Sequence, residues 1–175
     1  SERMSATKGA ILSLLTDAYQ RRDRVGLVVF QKDRATLVLA PTNSVLLAQR
    51  ALASIPVGGK TPLSAGLQMA YEVIKREKTL HPDVQPLLIV LTDGAGNVPI
   101  GSRPVQVEID ELAGLFQSEK IHSVVINMEH KIFDQGLAKD LADKMGAVCY
   151  SMEDLKSETL YQTVQREMTS AAAGS

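Results

Sequence analysis

The stretch Pro86-Leu-Leu-Ile-Val-Leu-Thr-Asp-Gly94 decides the fold. Leu87 to Leu91 is a continuous apolar run without polar alternation, the pattern of a strand covered on both faces. It is the most apolar strand of the chain and reads as a buried central one, broken abruptly by Asp93-Gly-Ala-Gly-Asn97. On its amino-terminal side the spacing predicts a helix from Leu63 to Lys78, its first turn pre-set by Pro62. Ahead of that helix, Ile55-Pro-Val-Gly-Gly-Lys-Thr-Pro62 is a loop by its Pro and Gly content. Another helix is expected from Ser44, as N-cap, to Ser54. Arg24-Val-Gly-Leu-Val-Val-Phe30 and Ala35 to Leu39 are two strands, close enough to form a hairpin across Gln31-Lys-Asp-Arg34. Met4 to Arg21 is an amphipathic helix, with Ile11, Leu12, Leu14, Leu15, Ala18 and Tyr19 at helical spacing. On the carboxyl side follow a helix (Val105 to Ser118), a strand (Ile121 to Asn127), a helix (Gln135 to Met145), a short strand (Ala147 to Ser151) and a closing helix (Glu153 to Met168).

Strands alternating with helices at this spacing give an α/β fold: a doubly wound, mostly parallel sheet with helices on both faces and one antiparallel hairpin strand. Residues 1–168 form one domain, and 169–175 read as a flexible tail or an expression scar. A chain of 175 residues is long enough to bury about 70% of its unfolded surface. With 19 basic and 20 acidic side chains, the near-zero balance argues against a general nucleic-acid or anionic-membrane binder. Cys149 stands alone, which excludes an internal disulfide framework and a multi-cysteine zinc site and suits a reducing compartment. No apolar run reaches the ~20 residues of a membrane span, and no basic-plus-apolar leader opens the chain. A cytosolic location is the resulting expectation.

In a sheet of this kind ligands sit beyond the carboxyl ends of the strands. Asp93 stands there, at the end of the most apolar strand, where a carboxylate is desolvated unless it meets a cation or backbone amides. The bland alternative is a turn-forming Asp bonding its own loop. Thr61, at a loop-to-helix junction, is by itself no more than an N-cap. Both reaching one crevice would supply hard oxygen ligands suited to Mg2+ held mainly by water. The Gly58-Gly-Lys-Thr61 run superficially resembles a phosphate loop, but Ser54 replaces its first glycine, a helix precedes it, and Pro62 removes an amide where phosphates would be cradled. His81, His122 and His130 have no partner at ligand spacing, Cys149 reads as an inert core thiol, and no catalytic or cofactor-binding constellation is present.

Taken together, Val25-Gly-Leu-Val-Val-Phe30, Gly58-Gly-Lys-Thr-Pro-Leu63 with Gly66, and Leu88-Ile-Val-Leu-Thr-Asp-Gly94 resemble a von Willebrand factor A domain, the integrin-I-like fold with a metal-ion-dependent adhesion site. Met4-Ser-Ala-Thr-Lys-Gly-Ala10, Asp17-Ala-Tyr-Gln-Arg-Arg-Asp-Arg24 and Gly136-Leu-Ala-Lys-Asp-Leu-Ala142 make the chain similar to the carboxyl-terminal domain of the D-type component of magnesium chelatase and of related cobalt chelatases. The resemblance implies that Thr61 is a metal-site threonine and Asp93 the aspartate that holds a coordinated water. The metal would be Mg2+, bound weakly by this partial site. A partner's acidic side chain would fill the open coordination position, so the domain is a docking surface and not a catalyst. The implied partners are an AAA+ chelatase subunit and a large porphyrin-binding subunit, in a complex that uses ATP to insert Mg2+ into protoporphyrin IX. The implied location is the bacterial cytoplasm or a plant plastid stroma. A generic von Willebrand A scaffold outside the chelatases is the alternative, with a nucleotide hydrolase behind it.

One departure from the family stands out. Its Asp-x-Ser-x-Ser motif ends a first, central strand just before the opening helix, whereas this sequence starts at Ser1-Glu-Arg-Met4, a few residues too late. The first central strand is therefore expected to be absent from residues 1–175, leaving a gap in the sheet or a place for another molecule's strand by exchange or addition.

Overall fold

A computed structural model describes residues 24–31, 34–53, 62–92, 100–128, 132, 134–151, 162 and 166–167. Within them the strands are β1 (Val25–Gln31), β2 (Arg34–Thr42), β3 (Leu87–Thr92), β4 (His122–Asn127) and β5 (Val148–Ser151). The helices are α1 (Val45–Ala53), α2 (Leu63–Leu80), α3 (Val105–Ser118) and α4 (Leu137–Met145). The expected opening helix lies outside the described residues. Of the closing helix, Gln162 and Arg166–Glu167 are described, and these are helical.

β1 and β2 pair antiparallel, while β3, β4 and β5 form a parallel sheet in that order. Among the described residues no ladder joins β1 to β3. The reading of β3 as the central, most buried strand is corrected. Among the described residues β3 pairs on one side only, and β4 is the central strand of its sheet, with every residue after His122 buried. Hydropathy ranked β3 first, but burial follows from pairing on both sides and cover on both faces, and β4 has both.

The two faces of β4 carry two apolar clusters. Val125 joins Leu63, Leu67, Val90, Ile109 and Phe116 beneath α2, α3 and α4, while Val124 and Ile126 meet Ile89, Leu91 and Tyr150 on the other face. Successive strand side chains point to opposite faces, which is why Val124, Val125 and Ile126 in the middle of β4 are all apolar. On the second face Glu167 reaches the strands: it accepts a hydrogen bond from Tyr150 Oη (2.6 Å) and lies 3.0 Å from His122 Nε2.

Local chemistry sets the element ends. The expected cap holds at Ser44, whose Oγ accepts from Leu47 N at 3.3 Å. Pro62 stands one residue outside α2, as its cap, and not inside its first turn; its carbonyl accepts from Gly66 N at 3.0 Å. α4 closes at Gly146, whose φ of 67° belongs to glycine. A Cβ there would also meet Gln117 Cγ at 3.2 Å.

α2 links the two sheets. It packs on β1 and β2 along one side and on α3 along another, and Leu63 and Leu67 enter the core of the parallel sheet. At the far end Arg24 Nη2, leading into β1, bonds Pro41 O (2.9 Å) and Glu77 Oε1 (3.4 Å), tying hairpin to helix. That contact is half exposed and adds at most about 1 kcal/mol.

Candidate functional site

The carboxyl ends of β3, β4 and β5 lie level, because Thr92 pairs with Asn127 and Asn127 with Ser151. The Thr92 and Asn127 side chains are buried, and Met128 N carries the ladder one step further by donating to Thr92 O at 2.9 Å. Asn127 Nδ2 donates to Asp134 Oδ2 at 3.0 Å, and Asp134 Oδ1 accepts from Gly136 N at 2.9 Å. The end of β4 is thus fastened to the start of α4 through one carboxylate acting as a turn former.

Thr61 and Asp93 lie outside the described residues. Their chain neighbours are described: Pro62 and Leu63 are buried at the start of α2, and Thr92 is buried at the end of β3. Since α2 leads down to the start of β3 and α3 leads away from the loop after it, both helices begin at the carboxyl end of the parallel sheet. A side-chain contact between those beginnings agrees with this, Ser64 Oγ donating to Glu108 Oε1 at 3.0 Å.

Glu108 was not singled out by sequence reasoning, yet it is the most heavily bonded acid among the described residues. It is 6% exposed in the first turn of α3. Besides Ser64, its carboxylate accepts from Ile100 N (2.8 and 3.1 Å to the two oxygens) and from Gly101 N (2.8 Å). Burial pushes its pKa up, but the two amides, the Ser64 hydroxyl and the nearby Arg103 charge outweigh that and hold it below the ordinary glutamate value. The positive end of α3 favours the same ionised state. A signal was legible: Val105, Ile109, Leu112 and Phe116 form an apolar stripe, and Glu108 interrupts it.

A depressed folded-state pKa means that Glu108 stabilises the fold fully above the ordinary glutamate range and loses that contribution as pH falls through its lower folded value. Urea unfolding between about pH 5 and pH 3 is expected to show stability falling more steeply in the unaltered chain than in Glu108→Gln. Parallel curves would refute that assignment.

The remaining histidine and cysteine readings resolve simply. His81 is exposed at the end of α2, His122 faces Glu167, Cys149 packs partly buried against the main core, and His130 lies outside the described residues. Among the described residues no three His, Cys, Asp or Glu side chains converge on a metal position. At this end of the sheet the described side chains carry oxygen atoms, but both oxygens of Asp134 are already engaged, by Asn127 Nδ2 and Gly136 N. A bound Mg2+ would depend on Thr61 and Asp93. Glu108 is not available as a ligand, because both its oxygens are engaged by amide and hydroxyl donors. No described helix is long and apolar enough to cross a membrane.

Comparison with known proteins follows this geometry. The family model of the von Willebrand factor type A domain matches residues 1–95, more than half of the chain. An uncharacterized protein of Methanocaldococcus jannaschii is 37% identical over 159 residues, 90% of this chain and 91% of that protein. The magnesium-chelatase 67 kDa subunit of Chlorobaculum parvum is 33% identical over 171 residues, 91% of this chain but 28% of that subunit. The chain therefore spans little more than a quarter of that chelatase relative. Among solved structures, the VWA domain of SpRpn10 superposes with a TM-score of 0.61 at 13% identity, over 93% of this chain and 82% of that one, which supports the fold alone. With the parallel sheet, its flanking helices and these matches in hand, the chain belongs to the von Willebrand factor type A domain family.

Proposed function

We propose that this domain is the metal-assisted docking module of a D-type tetrapyrrole metal-chelatase subunit. The observation that carries the reading is the 33% identity to a magnesium-chelatase subunit along nearly all of this chain. Thr61 and Asp93 would hold Mg2+, largely through water, and an acidic side chain of a partner would complete its coordination. The ion contributes a positive point for that carboxylate; the chain's own residues orient it. The partners are the AAA+ subunit and the large porphyrin-binding subunit of the complex, and the Mg2+ inserted into the porphyrin is cargo separate from the docking ion. The domain, residues 1–168, has no catalytic role of its own in this reading.

Thr61→Ala and Asp93→Ala are expected to weaken association with the AAA+ or porphyrin-binding subunit by roughly tenfold or more, since each removes a central contact of the interface. Surface plasmon resonance with and without EDTA measures it, with melting temperature as a control for folding. Full Mg2+-dependent association in both variants would sink the proposal.

A second reading has support of its own. The archaeal relative is matched over 91% of its length, so a domain of this kind occurs without the rest of a chelatase subunit. A free-standing von Willebrand A scaffold would dock a different acidic partner at the same end of the sheet. Binding of the chelatase subunits, or its absence, separates the two.

A further inference from the structure

α2 ends at Leu80 ahead of β3, and α3 ends at Ser118 ahead of β4, so both helices finish at the amino-terminal end of the parallel sheet. Glu119 joins them there. Lys75 Nζ donates to its Oε1 at 2.8 Å, and Tyr71 Oη donates to its Oε2. The Lys75 ammonium also lies 5.9 Å from the centre of the Tyr71 ring. We propose that the exposed cations at these two helix ends, Lys75, Lys78 and Lys120, form a docking surface for an acidic segment of a partner protein. It lies away from the carboxyl end of the sheet and needs no bound ion.

The backbone of Lys120 supports this assignment. α3 and α4 close with the same pair of hydrogen bonds. Ile121 N reaches Phe116 O (3.0 Å) and Lys120 N reaches Gln117 O (3.1 Å), as Ala147 N reaches Ala142 O (2.8 Å) and Gly146 N reaches Asp143 O (3.2 Å). The residue at the turn has a positive φ in both, 67° at Gly146 and 56° at Lys120. Glycine takes this conformation without steric cost, whereas lysine brings its Cβ close to the backbone. Lys120 is alone among the described non-glycine residues in having a positive φ. Attraction to the negative end of α3 offsets part of that cost. What the chain keeps in return is an exposed ammonium next in sequence to Glu119.

The local charge favours an incoming carboxylate. Glu119 is committed to Lys75 and Tyr71, and Glu77 accepts from Arg24 at 3.4 Å. Lys78 and Lys120 are exposed and make no ion pair among the described residues. Lys78 is near enough for its charge to act on Glu119. Three ammonium groups are thus set against one carboxylate, in a chain whose formal net charge is −1. Glu119 itself shows the chemistry on offer, ammonium and phenol donors that hold a carboxylate. Leu80, 59% exposed at the end of the same helix, adds an apolar point. A nucleic acid or an anionic bilayer calls for a broad basic field, which 19 basic against 20 acidic side chains do not supply. A short acidic protein segment fits the smaller patch.

The test uses the full chain and a capped peptide of glutamate and serine as the probe, followed by two-dimensional amide NMR. Shifts are expected to concentrate at residues 75–80 and 119–120. Lys78→Glu combined with Lys120→Glu is expected to raise the Kd about tenfold, and Lys120→Gly about threefold. Glycine keeps the turn at 120 without strain, so weaker binding in that variant reads the lost ammonium and not a disturbed fold. Arg50→Glu, a charge reversal on α1, is expected to leave the Kd unchanged. Urea unfolding of each variant confirms that it is folded. No shifts, shifts centred elsewhere, an equal loss in Arg50→Glu, or an unchanged Kd in the folded Lys78 and Lys120 variants overturns the proposal. Tighter binding of single-stranded DNA or of phosphatidylserine vesicles than of the peptide, at equal charge and salt, overturns the choice of an acidic protein segment.

Discussion

Phe116→Ala is expected to cost about 3–5 kcal/mol, the range for emptying a fully buried aromatic site. Phe116 is 0% exposed on the inner face of α3, enclosed by the cluster that includes Leu63, Leu67, Ile109 and Met145. Its ring meets Tyr71 edge-on, with centroids 5.8 Å apart and planes at 85°, so truncation also removes a favourable aromatic pair. The surroundings are drawn from α2, α3 and α4 and the sheet, elements that cannot all collapse into one void. Against a total stability of about 5–15 kcal/mol, the loss brings the domain near the edge of unfolding and lowers its melting temperature by roughly 6–20 °C. The neighbouring Leu115→Ala is the control: that side chain is 39% exposed and its truncation is expected to change stability by no more than about 0.5 kcal/mol. Chemical denaturation of both variants decides the matter. A loss below about 1 kcal/mol for Phe116→Ala would mean that the core is not packed as described.

Glu167→Ala is expected to cost about 2–4 kcal/mol and to change the alkaline behaviour of the protein. Glu167 is 6% exposed, and its carboxylate serves Tyr150 on β5 and His122 on β4 at once. Removing it leaves the Tyr150 hydroxyl without that acceptor on a covered face of the sheet. Burial, then the hydrogen bond to Glu167 and its charge, push the Tyr150 phenol up to about 12, with Arg166 pulling the other way. A raised folded-state value means that this part of the stability is present in full below pH ~10, the unfolded value. It is lost as pH climbs through about 12. In Glu167→Ala the phenol moves back down toward the ordinary range, although burial keeps it from returning completely. Phenolate absorbance during an alkaline titration follows this, with Tyr150→Phe assigning the signal. An unchanged Tyr150 titration in Glu167→Ala would show that the two groups do not share a bond.

Much of the fold was legible because its strands are apolar on both faces and its helices carry their stops in the sequence. α3 spans Val105–Ser118, the bounds expected from the sequence. Ser44 and Gly146 mark helix ends by chemistry that is local to a few residues. What sequence could not rank was centrality: Leu87–Leu91 is as apolar as a strand can be, yet β4 is the one flanked on both sides within its sheet. Pairing is a long-range property, and hydropathy carries no information about it. The same limit applies to the polar anchors. Glu108 stands on an apolar stripe, so its burial had a local trace, but its donors lie on two other segments. His122 and Glu167 are 45 positions apart, with nothing in either neighbourhood to announce the other. Thr61 and Asp93 fall outside the described residues.

The division into a hairpin and a parallel sheet has a consequence for how the chain closes on itself. The tightest β1–β2 pair, Gln31 with Arg34, spans three positions, whereas Leu87 must meet His122 across thirty-five. On the logarithmic law of loop closure, the longer loop costs about 2 kcal/mol more chain entropy before its first contact is made. The parallel half thus carries the larger initial entropic penalty, and α2, which lies against both halves, is the element that couples the easy local pairing to the difficult distant one.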